Sequence, residues 1–395
     1  MPVSLRSFAK INLGLRIGAT RADGFHELST VYQTIALHDV LRVSVRRGSG
    51  IEIQCEDARV PRDETNTCYR MAERVMQTVR AQGRVVIEIE KRLPVQGGLG
   101  GASANAVATL IGLERALKKT LPAAERLRIS AEVGSDLPLF LMGGTVLGVG
   151  RGEQVYPLAD FPPMACVVVT PEVGVSTPKA FAEWDRLRGL KPRDSGGAVA
   201  ALKGRASTDS RRFGISAEGE EPLAETAKLR SAGTGEVDRP STISGVRFSR
   251  KAGAAVPTEA IPKLTQMMAS DRMNELGRGL SAWLSEMCSS APSGFAKRRG
   301  RAGDPLLWLV RAGIENDFEQ VVFPEYPELL EGKSALLSAG AKYASLSGSG
   351  STLYGLFAAP NAAARAVARL RKQGWAAQAT TTVTRPTYWK RMVVR

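Results

Sequence analysis

Pro94-Val95-Gln96-Gly97-Gly98-Leu99-Gly100-Gly101-Ala102-Ser103-Ala104-Asn105-Ala106 sets four glycines within five positions, between a run that reads as a strand and one that reads as a helix. Upstream, Val85 to Glu90 alternates β-branched and charged residues, the pattern of a half-buried strand, and Pro94 ends its pairing. Downstream, Ala106, Leu110, Leu113 and Leu117 recur at helical spacing, with Lys118 and Lys119 where the helix dipole favours cations. Glycine loses more backbone entropy on folding than any other residue, so a cluster of it marks a backbone that adopts positive φ or lies flat against something. Strand, glycine turn and helix start together present unpaired N–H groups at the positive end of a helix dipole, which attracts phosphate. A turn that only permits tight packing has the same composition, and spacing alone does not separate the two readings.

Three nucleotide-binding schemes share this layout, and each carries further chemistry. A P-loop needs Lys and Ser/Thr after its last glycine, where this chain has Ala102 and Ser103. A dinucleotide fingerprint can be drawn as Gly98-x-Gly100-x-x-Ser103, but the strand that would carry a ribose-binding acid is replaced by a helical pattern over 121–133. Neither the HRD nor the DFG tripeptide of a protein kinase occurs.

The 395 residues suffice for two domains, and 43% hydrophobic content supports real cores. The sequence holds no run of about 18 apolar residues and no signal-peptide h-region, so a soluble, cytoplasmic protein is expected. Cys55, Cys68, Cys166 and Cys288 stand far apart with no CxxC pair, which points to buried thiols rather than a zinc site or a disulfide scaffold. The formal net charge of +15 raises a nucleic-acid reading, which depends on where the charge lies.

The segment 94–106 resembles the second motif of the GHMP kinase superfamily. Within it, Ala9-Lys10-Ile11-Asn12-Leu13 and Arg21-Ala22-Asp23-Gly24-Phe25-His26 resemble the kinases that act on 4-diphosphocytidyl-2-C-methyl-D-erythritol in the non-mevalonate isoprenoid pathway. Gly134-Ser135-Asp136-Leu137-Pro138-Leu139-Phe140 is similar to that group's aspartate motif, and Leu346-Ser347-Gly348-Ser349-Gly350-Ser351-Thr352 to its C-terminal glycine motif. The resemblance covers roughly residues 4–185 and 306–385. It implies an α+β, two-domain GHMP fold: an ATP-binding N-terminal domain over 1–160, like the second domain of ribosomal protein S5, and a ferredoxin-like C-terminal domain over 161–395. The implied activity is ATP-dependent phosphorylation of the C2 hydroxyl of the cytidyl substrate. A homoserine- or mevalonate-type GHMP kinase is the alternative, and an RNA-binding protein a more distant one.

The same resemblance assigns residues. Pro94, Gly97, Gly98, Leu99, Gly100, Gly101, Ala102, Ser103 and Asn105 are expected around the ATP phosphates, with Mg²⁺ held mainly through ATP and Ser103 as the side chain nearest to it. Lys10, which by position alone is a solvated lysine on a strand edge, is expected beside the catalytic aspartate. Asp136, which can equally cap a helix begun at Pro138, is expected to be the general base. Phe25 is expected to stack on cytosine and His26 to read its edge, while Asn12, Tyr32, Thr177, Phe181, Gly348 and Ser349 border the substrate. Thr177 before Pro178 also reads as an ordinary helix cap. The expected partner is a small molecule, with no membrane or nucleic acid, and the chain a monomer or weak homodimer.

Around these motifs the sequence predicts a strand over 3–18, two β-like runs within 29–47 divided at His38-Asp39, a helix over 66–80 capped by Asn66, and a hairpin over 143–152. Further on it predicts a buried strand at 165–170, a helix over 328–339, a basic helix over 361–373 and a closing strand over 375–384. The insert at 190–304 departs from this pattern. Residues 186–304 hold 21 Lys and Arg against 13 Asp and Glu, a net +8 of the total +15, and few aromatics. Such composition predicts disorder, with a weak amphipathic helix near 261–288 and a solvated basic cluster at 297–301.

Overall fold

The computed structural model describes residues 2–189 and 315–394. The insert, its expected helix and basic cluster, the resumption of the fold at 306–308 and Cys288 lie outside those residues.

The first sheet is built on two long strands, β1 (Val3–Thr20) and β2 (His26–Arg46), paired antiparallel around the turn at Gly24. The second half of β2 pairs with β4 (Arg84–Glu90), and its first half with β5 (Thr145–Gly150). The strand β3 (Ile51–Cys55) runs parallel to β4 and β6 (Gln154–Pro157) closes the other edge, giving the order β3-β4-β2-β5-β6 with β1 on β2. The two runs expected on either side of His38-Asp39 are therefore one strand. A charged residue without a Gly or Pro beside it does not break pairing, and Asp39 is fully buried with its carboxylate paired.

Helices α1 (Thr67–Thr78), α2 (Gly101–Leu117), α3 (Ala123–Val133) and α4 (Leu137–Met142) cover one side of this sheet. Asn66 caps α1 as expected, accepting from the Cys68 amide at 2.8 Å. The helix α2 is buried all round from Ala104 to Glu114 rather than amphipathic, because it sits between the sheet and α1.

The second sheet is assembled from β7 (Ala165–Val169), α5 (Thr177–Leu187), α6 (Glu319–Glu325), α7 (Pro327–Ser338), β8 (Tyr343–Leu346), β9 (Leu353–Phe357), α8 (Pro360–Lys372) and β10 (Ala377–Thr381). Its order β10-β7-β9-β8, all antiparallel, is the ferredoxin-like arrangement, so the α+β GHMP architecture is the observed one. One face of β1 (Ala9, Ile11, Leu13) packs against Cys166, Val168, Tyr354 and Leu356 of this sheet. The alternate residues Lys10 and Asn12 are thereby turned the other way. A C-terminal helix that the sequence pattern did not suggest, α9 (Arg385–Met392), returns to the first sheet. There Tyr388 packs on Phe8 and donates to the Phe140 carbonyl at 2.7 Å.

Candidate functional site

Two register shifts in the β1–β2 ladder, between Phe8 and Lys10 and between Asn12 and Gly14, bracket the segment that carries the site. Bulges re-aim side chains, and here they set Lys10, Asn12 and Tyr32 on one patch. Lys10 is 3% exposed; its ammonium donates to Asn12 Oδ1 at 2.7 Å and lies 3.8 Å from Asp136 Oδ2. Asn12 is held in turn: its amide donates to Thr30 Oγ1 at 2.7 Å, and Tyr354 donates to its carbonyl at 2.8 Å. Burial pushes the Lys10 ammonium below lysine's ordinary 10.5, with the Asp136 charge opposing the shift.

Asp136 stands at the start of α4, but its side chain makes no capping bond. It accepts from the Tyr32 hydroxyl at 3.1 Å through Oδ1 and faces Lys10 through Oδ2. Its side chain is 38% exposed, so the carboxylate borders open space while its lysine does not. Burial, and then the Asp136 charge, raises the Tyr32 phenol well above its ordinary value, which keeps it a neutral donor.

The glycine loop lies directly above. Leu99 is its buried anchor, and its carbonyl accepts from the Lys10 amide at 3.0 Å. Gly100, in the left-handed region at φ +69°, is the N-cap of α2; a Cβ there would lie 2.9 Å from Phe140 and 3.1 Å from Lys10 Cγ. Gly98, at φ +76°, lies so close to the second glycine turn that a Cβ would fall 2.2 Å from the Ser347 carbonyl. That turn clasps the loop, with Ser347 Oγ donating to the Gly98 carbonyl at 3.0 Å and the Thr352 amide to the Gly97 carbonyl at 3.2 Å. A Cβ on Gly348 would sit 3.4 Å from Lys10 Nζ, and Asn316 donates to the Gly348 carbonyl at 2.7 Å.

Ala102 is exposed and Ser103 half-buried at the open start of α2, next to the half-buried Pro94 and Gly101. Asn105 is 3% exposed, and its amide donates to Asp39 Oδ2 at 3.0 Å.

Asp39 is the residue that motif reading missed. Its carboxylate accepts from the Arg92 and Leu93 amides, both at 2.7 Å, and from Lys91 Nζ at 2.8 Å besides Asn105. It thus ties the entry of the glycine loop to the helix at its exit. The available signal was a charge in mid-strand with no turn residue beside it.

Phe25 and His26, the residues expected to read a pyrimidine, follow the turn at Gly24. Phe25 is 51% exposed, and the Arg151 guanidinium lies 4.9 Å over its ring. His26 is buried, stacked on Phe181 at 4.7 Å and 12°, and bonded to Asp185 at 2.7 Å. Phe181 is also edge-on to Phe318 at 4.9 Å. Thr177 does not cap α5, whose N-cap is Ser176; its hydroxyl instead shares a 2.6 Å hydrogen bond with Ser349. The three buried thiols Cys55, Cys68 and Cys166 take no part.

A helix N-terminus cradled by glycines, with a lysine–aspartate pair below it and no Walker lysine, has the parts that a small-molecule kinase needs. Residues 66–144 match the GHMP kinases N terminal domain and residues 301–375 the GHMP kinases C terminal domain. The 4-diphosphocytidyl-2-C-methyl-D-erythritol kinase of Solibacter usitatus is 31% identical over 92% of this chain and 84% of its own length. That of Nocardia farcinica is 41% identical over 53% of this chain and 68% of its own. A crystal structure of 4-(cytidine 5'-diphospho)-2C-methyl-D-erythritol kinase, 25% identical, covers 96% of this chain and 98% of that one at a TM-score of 0.58. The Leishmania major mevalonate kinase, at 11% identity and a TM-score of 0.59, shares the fold alone. The chain belongs to the 4-diphosphocytidyl-2-C-methyl-D-erythritol kinase family within the GHMP kinases. It is an ATP-dependent phosphotransferase. Among the described residues no helix is long and apolar enough to cross a membrane.

Proposed function

We propose that this chain transfers the γ-phosphoryl group of ATP to the C2 hydroxyl of 4-diphosphocytidyl-2-C-methyl-D-erythritol, with Asp136 as general base and Lys10 as its cationic partner. The observation that carries the reading is the Lys10–Asp136 pair at 3.8 Å, its carboxylate open to space under the glycine loop. Asp136 takes the hydroxyl proton as the substrate oxygen bonds to the γ-phosphorus. The bond from that phosphorus to the β,γ-bridging oxygen breaks, and ADP leaves. Lys10 stabilises the negative charge developing on the attacking oxygen, and Tyr32 holds the other carboxylate oxygen in place.

Backbone N–H groups of 97–101 receive the triphosphate at the start of α2, bordered by Pro94 and Ala102. Asn105 and Asp39 act behind it, keeping the loop in shape. Mg²⁺ would enter as a companion of ATP, with the Ser103 hydroxyl, half-buried at the open start of α2, as its protein neighbour. When bound, Mg²⁺ neutralises triphosphate charge.

Phe25, His26 and Phe181 take the cytosine, and Thr177, Ser349, Gly348 and Asn12 line the way from it to Asp136. On this reading the protein works on a small-molecule substrate in the cytoplasmic synthesis of isoprenoid precursors, as a monomer or weak homodimer. The test is ATP consumption by purified protein offered the cytidyl substrate, homoserine and mevalonate side by side. Turnover on the first alone is expected, and equal or absent turnover on all three overturns the reading.

A further inference from the structure

Thr177, Phe181 and Asp185 are spaced by four residues and form one stripe of α5. The first meets the second glycine turn at Ser349, and the second stacks on His26. Asp185, the third, accepts a hydrogen bond from His26 Nε2 at 2.7 Å, and no motif drew attention to it. Its side chain is 20% exposed and that of His26 7%. The imidazole is thus held at one face by Phe181 and at one nitrogen by Asp185, which removes its rotational freedom. His26 Nδ1 has no protein partner among the described residues.

We infer that Asp185 is a positioning residue that makes this kinase prefer cytosine over uracil by setting the tautomer of His26. The inference rests on the cytidyl-substrate reading above. A carboxylate offers only lone pairs, so the hydrogen-bond network assigns the imidazole proton to Nε2. In the neutral ring Nδ1 is then an acceptor, because the hydrogen bond at one nitrogen decides the state of the other. The 4-amino group is the only hydrogen-bond donor on the pairing edge of cytosine. An acceptor fixed in the protein meets that edge at the 4-amino group or not at all. Uracil carries a 4-oxo group at the same point, which sets two acceptors face to face and leaves both unpaired. A doubly protonated ring would lose the preference, since Nδ1 would then donate and both bases offer it an acceptor. Base discrimination therefore reports directly on what Asp185 does.

The test is calorimetric titration of the full chain with CDP and with UDP, for the wild type, Asp185→Asn and Asp185→Ala. The wild type is expected to bind CDP at least about tenfold more tightly than UDP, the size of effect that an unpaired polar group produces. Both variants should lose most of that ratio: the alanine frees the tautomer, and the asparagine amide can donate to Nε2 and move the proton to Nδ1. In turnover, the loss should fall on KM for the cytidyl substrate more than on kcat. A CDP-to-UDP ratio unchanged in both variants overturns the inference while leaving the cytidyl reading standing. A wild type that binds CDP no better than UDP, or neither, brings down the inference, and absent turnover of the cytidyl substrate brings down the reading itself.

Discussion

The two glycine-rich turns, 97–101 and 348–350, both come after a strand and lie against each other, with Gly350 so near Gly98 that a Cβ on it would fall 2.5 Å from the Gly98 amide nitrogen. The first runs into a buried helix, so its N–H groups carry the field of α2; the second returns directly into β9 as a hairpin. One composition thus serves two purposes. Glycine in the first turn leads into the unpaired N–H groups of a helix start, and glycine in the second lets another backbone approach. The element on the C-terminal side of a glycine cluster tells its role, because only a helix start leaves unpaired donors aligned.

The largest effect should come from below the first turn. Asp136→Asn is expected to lower kcat by about 10²–10⁴ with little change in melting temperature, measured by ATP turnover and thermal denaturation. Retention of full turnover by the folded variant would remove the base assignment. Asp39→Ala leaves Lys91 buried without its carboxylate and frees two amides, so a loss of about 3–5 kcal/mol is expected from urea titration. A loss below about 1 kcal/mol would mean that the turn keeps its shape without Asp39.

Gly98→Ala and Gly350→Ala separate the two turns. The first should raise KM for ATP at least about tenfold, because it combines a left-handed φ with a clash against Ser347. The second strains only the contact, with no φ penalty, and its effect on KM for ATP should be several-fold smaller. Equal effects would show that fit, not exposure of the first turn, controls ATP binding. The smallest effect is in the pH profile. Since burial lowers the Lys10 value, its cation is lost at lower pH than for a free lysine, and the alkaline limb of kcat/KM should begin below 10.5. Lys10→Arg stays charged over that range, so any activity it keeps should lose this limb.

Much of this was written in the chain. The loop of 94–106 carries a recognisable local pattern, since a glycine cluster before a helix start is encoded within a dozen residues, whereas Lys10 and Asp136 stood out only through the family resemblance. The thiols of Cys55, Cys68 and Cys166 are buried as their spacing suggested, while the ferredoxin-like order of the second sheet was legible only through the family resemblance. Asn66 announced its helix because capping is a contact between near neighbours.

The residues that organise the site from behind were not legible. Asp39 reads as a break between strands, and its partners at 91–93 and 105 lie more than fifty residues away. Asp185 reads as one more charge near a helix end, and its meaning depends on His26 across the fold. Asp136 looks like a cap until the absence of a capping bond and the presence of Tyr32 and Lys10 show otherwise. Sequence by itself determined which groups are available and, apart from the join of β2 at His38-Asp39 and the helix α9, which segments are strand, turn or helix, because those depend mostly on neighbours along the chain. Tertiary structure alone decided which carboxylate faces a lysine, an amide or an imidazole, because a buried charge takes its role from whatever the packing brings within three or four ångströms.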